Sequence, residues 1–175
     1  MRLYVPAVLA DLELSEIGPR LACAVTPALR AALPEEDDEG LELSAFLSAA
    51  DLAVLRLAGG PGPYRRVVLA LDLPDSTAFA APSAGAGGAG DEISDAVGAA
   101  DLADLGCVVG EIPPTPWSAL VSLHVDEPEA IDAVRAALTD DTAFEELAEV
   151  DLLWFAPSER ASLVTDLAAG ASAHE

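Results

Sequence analysis

Along Arg2–Ala7 polar and apolar positions alternate, with Leu3 and Val5 on one side and Arg2 and Tyr4 on the other. That period predicts a strand with one face on a core. Residues 21–25 form a short apolar run between Gly18-Pro19 and Thr26-Pro27 and predict a second strand. Residues 67–73 and 152–156 are apolar at nearly every position, the pattern of strands covered on both faces, and are expected at the centre of the sheet. Residues 119–125 put Val121, Leu123 and Val125 on one face and Ser122 and His124 on a less buried one. Residues 107–112 predict a last strand, stopped by Pro113-Pro114, which cannot continue a ladder.

Helical spacing dominates residues 41–58, where Leu43, Phe46, Leu47, Ala50, Val54 and Leu57 share a stripe. The acidic run 35–39 stands at the favourable end of its dipole. Thr26-Pro27 is an N-cap followed by proline at the first helical position, which predicts a short helix over 28–33. Asp126-Glu127-Pro128-Glu129 reads as a capping box ahead of a helix with Ile131, Val134 and Leu138 buried. Further helices are expected over 143–148 and 158–168.

The order β-α-β-α-α-β-loop-β-β-α-β-α predicts an α+β fold, a mixed sheet of five or six strands with packed helices, partly ferredoxin-like. A doubly wound α/β sheet is the alternative, favoured if the two central strands are parallel. Residues 76–90, rich in Ala, Gly and Ser, lack periodicity and predict a flexible loop inside a single domain spanning 1–169. Residues 170–175 are expected to be a loose tail.

Composition sharpens this picture. Hydrophobic residues make up 52% and aromatics only 5% of 175 residues, so the core is aliphatic. Thirty-one acidic residues face eight basic ones, all arginine, and the net charge of −23 disfavours nucleic acid and anionic membranes as partners. An early proline and acids at Asp11 and Glu13 leave no signal-peptide core, and no run has the length of a membrane span, so a cytoplasmic location is expected. Cys23 and Cys107 match no metal or redox spacing and read as small buried hydrophobes.

The segments MRLYVPA, AVTPALR, RRVVLALDLPD, HVDEPEA and LLWFAPSE together resemble an uncharacterised actinobacterial family of small acidic proteins, a domain of unknown function. The resemblance implies a bacterial cytoplasmic protein and brings no activity, ligand or catalytic residue. The absence of Lys beside heavy use of Ala, Gly, Pro and Arg agrees with a high-GC coding bias.

Candidate chemistry is sparse. Asp72, Asp126 and His124 would hold Mg²⁺ or Mn²⁺ if their strands were parallel neighbours. Capping by Asp126, turn chemistry at Asp72 and a solvated or ion-paired His124 are the simpler readings. Arg2, Arg30, Arg65 and Arg66 are candidates for an anionic ligand or partner, with local ion pairing the simpler account. Trp117, among prolines, is a candidate contact residue, whereas Trp154 is expected in the core. The chain lacks a G-x-S-x-G elbow and a phosphate-binding loop lysine. The pattern favours a non-catalytic protein-interaction or regulatory module of the bacterial cytoplasm, with a protein partner and no cofactor. A small-molecule enzyme with a carboxylate-rich, divalent-metal site at a strand edge is the alternative.

Overall fold

The computed structural model describes residues 1–58, 60, 62–81, 102 and 104–171, and the side chains of its last helix as far as Thr165. Most of the expected 76–90 loop and all but the first two residues of the expected tail lie outside the described residues.

Among the described residues six strands form one sheet: β1 (Arg2–Ala7), β2 (Arg20–Cys23), β3 (Val67–Asp72), β4 (Val108–Ile112), β5 (Leu120–Asp126) and β6 (Leu152–Phe155). Their order is β4-β2-β1-β3-β5-β6, and each neighbouring pair is antiparallel. The fold is α+β, with strands from both sides of residues 76–90 in the same sheet. Antiparallel pairing throughout overturns the doubly wound alternative. β2 and β3 flank β1, are parallel to one another, and are joined by α1 (Pro27–Ala32) and α2 (Asp38–Leu57), the split unit found in ferredoxin-like sheets.

Local chemistry accounts for the helix starts. The Thr26 hydroxyl accepts a hydrogen bond from Leu29 N at 3.0 Å, and Pro27 occupies the first helical position. Asp37 caps α2 through Gly40 N at 2.9 Å, and Asp38 and Glu39 lie in the first turn, where the helix dipole favours anions. Among the described residues three further helices follow: α3 (Ile131–Ala137), α4 (Asp141–Glu146) and α5 (Arg160–Ala171).

Both faces of the sheet centre are covered. On one face Tyr4, Cys23, Val68 and Ala70 pack under α2 through Leu41, Ala45 and Ala49. On the other, Leu3, Val5, Leu69, Leu71 and Leu123 pack with Leu12 and with Leu163 of α5. This explains why β3 is apolar at both alternations, as expected of a central strand. The alanines of α2 let the helix sit close to the sheet, since a methyl group adds little to the separation of the two backbones. The buried stripe is therefore rotated from the one read in the sequence, and Leu43 is exposed.

β6 corrects a second expectation. Among the described residues it is an edge strand paired only to β5, and Trp154 is 62% exposed instead of buried in the core. Its apolar character resembles that of a covered strand, but α2 packs mainly on β1, β2 and β3 and meets β5 through Phe46 at His124.

Candidate functional site

The partial reach of α2 creates the site. The α2-facing side of β5 and β6 presents Ser122, His124, Leu152 and Trp154, with His124 paired directly opposite Trp154 and beside Val68. Side chains of one strand face recur every second residue, so these groups form a floor. Glu39, Glu42, Leu43 and Phe46 come at helical spacing along the first turns of α2 and form a wall. Together with Arg2, Tyr4, Ala70 and Asp151 they enclose an open groove of about 470 Å³.

Aromatic contacts set the shape of the floor. Phe46 meets Tyr4 edge to face with ring centroids 5.7 Å apart, and meets the His124 ring at 4.8 Å. The Tyr4 hydroxyl donates to Glu42 Oε2 at 3.2 Å. Burial and then the Glu42 charge push that phenol up to about 12. His124 Nε2 lies 3.1 Å from Ser122 Oγ, and burial lowers the imidazole pKa, so the ring favours its neutral form.

The walls carry the charge. Glu39, Glu42 and Asp151 are exposed carboxylates, and Arg2, the one cation lining the groove among the described residues, is held in a two-pronged pair with Asp72, Nε to Oδ1 at 2.7 Å and Nη2 to Oδ2 at 3.1 Å. That contact holds Asp72 below the ordinary carboxylate range and raises Arg2. A groove with aromatic surfaces, three exposed carboxylates and an adjacent sheet edge suits a positively charged occupant with an extended apolar stem.

The structure separates the expected metal ligands. β3 and β5 run antiparallel, Val68 opposite His124 and Val67 opposite Val125, so Asp72 and Asp126 lie at opposite ends of the pair. Asp72 stands four residues beyond the partner of His124, a distance of about 13 Å along an extended strand. Among the described residues no group of three His, Cys, Asp or Glu side chains is placed to hold a metal ion.

Asp126 is not the helix cap that the sequence suggests. It ends β5 fully buried, accepting from Arg66 N at 2.6 Å and from the Arg66 guanidinium at 2.8 to 3.1 Å. Arg66 also donates to the carbonyls of Leu147 at 3.2 Å and Val150 at 2.8 Å, and so fastens the approach to β6. The chain instead enters its next helix through a short turn, Pro128–Ala130, preceded by Glu127 without a side-chain cap.

The other singled-out residues lie away from the groove. Arg65 donates to the Asp126 carbonyl through Nε at 2.7 Å. Arg30 pairs with Asp38 at 2.7 Å on the surface. Trp117 is half-buried, donating from Nε1 to the Leu14 carbonyl at 2.8 Å, with the Arg160 guanidinium 4.2 Å from its ring centroid. Of the expected site residues, Arg2 and His124 line the groove; the sequence reading passed over Glu39, Glu42, Phe46, Asp151 and Trp154.

The chain belongs to a family of unknown function, DUF6912, which it matches over residues 1–164. No curated protein and no solved structure matches it.

Proposed function

We propose that this protein is a non-catalytic interaction module, and that the groove between α2 and β6 receives an extended basic segment of a partner protein. The observation that carries the reading is Trp154, 62% exposed on an edge strand beside Glu39, Glu42 and Asp151. A large aromatic is costly to leave in water, and one surrounded by carboxylates is suited to stack on a guanidinium or an ammonium stem. The unpaired side of β6 offers backbone groups for strand addition, with alternate side chains of the added segment turned towards the groove. The acidic exterior steers such a partner inward.

A cytoplasmic location and an actinobacterial source belong to the same proposal. Among the described residues no helix is long and apolar enough to cross a membrane. The enzyme alternative rested on Asp72, Asp126 and His124 acting together with Mg²⁺ or Mn²⁺, and their separation leaves it without a supporting observation.

The test uses a synthetic peptide of alternating arginine and valine, titrated against the full chain. Nonspecific attraction to a strongly acidic protein is controlled by two triple variants of equal charge change. Neutralising Glu39, Glu42 and Asp151 is expected to weaken binding about tenfold or more, a loss of about 1.4 kcal/mol. Neutralising Glu145, Glu146 and Glu149, which lie outside the groove lining, is expected to change it far less. Equal losses from both sets would contradict a groove site.

A further inference from the structure

The chain has two cysteines, 84 residues apart in sequence, whose sulfurs lie 3.1 Å apart. Cys23 ends β2, and Cys107 immediately precedes β4, the antiparallel neighbour of β2 at the sheet edge. The ladder shifts register between Ala22 and Cys23, which now stands opposite Val108. Ala24 N donates to the Cys107 carbonyl at 2.9 Å, and the Thr26 hydroxyl donates to the Gly106 carbonyl, so backbone beyond the pair is fastened as well. Both side chains are buried, and no third ligating side chain joins them in a metal-binding cluster among the described residues.

We propose that Cys23 and Cys107 are a convertible thiol pair, joined into an intramolecular disulfide by an oxidant of the hydroperoxide class and reopened by a dithiol. A disulfide bond is about 2.05 Å long, so the sulfurs need to close by roughly 1 Å between two adjacent strands. In the first step the Cys107 thiolate attacks the peroxide oxygen, the O–O bond breaks, and a sulfenic acid and hydroxide or alkoxide result. In the second, Cys23 sulfur attacks the Cys107 sulfur, the S–O bond breaks, and the hydroxyl leaves as water with the Cys23 proton. Two thiols are oxidised and one peroxide is reduced.

The environment distinguishes the two sulfurs. The hydrogen-bonding contact with Cys23 is the main influence bringing Cys107 down to about 7, against burial and with help from Ser48. The same contact, followed by burial, pushes Cys23 up. Cys107 adjoins β4, the outer strand of the sheet, whereas Cys23 belongs to β2, enclosed between β4 and β1. A thiolate is the attacking form, so position and charge together give Cys107 the first step and Cys23 the second. Because both sulfurs are buried, reaction proceeds at the rate at which the β4 edge opens.

The fully reduced full-length protein, treated with excess hydrogen peroxide and then denatured and alkylated, provides the test. The expected product is a monomer two hydrogens lighter, with neither cysteine alkylated and Cys23 and Cys107 linked in one peptide pair. Its thermal midpoint should rise by about 10 °C, because the bond closes a long loop in the unfolded chain, and fall back with dithiothreitol. In the C23S variant Cys107 should stop at the sulfenic acid and take up dimedone. Two alkylated cysteines after oxidation, or linkage only between separate chains, would overturn the proposal. Dimedone labelling of C107S but not C23S would overturn the assignment of the attacking thiol.

Discussion

Arg66 and Asp126 form a buried ion pair in which the carboxylate accepts from both the backbone N–H and the guanidinium of the same arginine, with side chains 1% and 0% exposed. Charges removed from water are tolerated only when nearly every donor and acceptor is matched, and Arg66 meets this through the carbonyls of Leu147 and Val150. Its position explains how an edge strand with little cover of its own is held beside β5.

Breaking the pair from one side leaves an uncompensated buried charge. Asp126→Ala is expected to destabilise the fold by about 3–5 kcal/mol, read as a lower urea midpoint. A loss under about 1 kcal/mol, the range of exposed pairs, would show that the pair is not buried as described.

Asp11 holds a second buried position, with Arg20 Nη1 at 2.6 Å and Arg56 Nη2 at 3.1 Å from Oδ2. Burial pushes the Asp11 carboxyl up, but Arg20 and then Arg56 outweigh it and leave the pKa lowered. A lowered folded-state pKa gives stability that is complete above the unfolded value of about 3.9 and is lost as pH falls through the folded value. Thermal midpoints of the wild type should therefore drop below about pH 4, and Asp11→Asn should start lower and show a shallower drop there. An equally steep acid limb in both proteins would contradict this role.

His124 has the opposite protonation chemistry and the same direction of pH dependence. Burial lowers its pKa, so between the folded value and about 6.5 the unfolded chain binds more protons than the folded one. Its contribution is complete above about pH 6.5 and diminishes as pH falls towards the folded value. NMR titration of the His124 ring should give a midpoint below 6.5, and a midpoint above it would mean that a groove carboxylate, not burial, controls the ring.

Trp154→Ala separates stability from recognition. An exposed edge residue contributes little to folding, so the urea midpoint should correspond to a change within about 1 kcal/mol. Binding of the arginine-valine peptide should fall about tenfold, because a central aromatic carries much of the energy of an interface. Loss of folding on this substitution would place Trp154 back in the core.

The sequence pattern located all six strands and α2 to within a few residues, because period and turn chemistry are local properties. Thr26 was legible as a cap for the same reason. Asp126 was misread because a capping-box spacing is local, whereas its true partner is Arg66, 60 residues away. Likewise, Leu152–Phe155 is apolar on both faces whether a strand is central or at an edge, and only the reach of α2 decides which. Glu39 belonged to an ordinary acidic helix start, and nothing in the local pattern singled out Glu42. Their role as a groove wall depends on strand order, which alternation does not encode.

The floor and walls of this one groove are the proposed site for a basic partner. Chemical-shift mapping of the isotope-labelled full chain with the arginine-valine peptide tests it most directly. The largest, saturable shifts are expected at the Trp154 indole, the His124 ring, Phe46 and the backbone of β6. Small shifts spread over the acidic surface, with Trp154 and His124 unmoved, would contradict it.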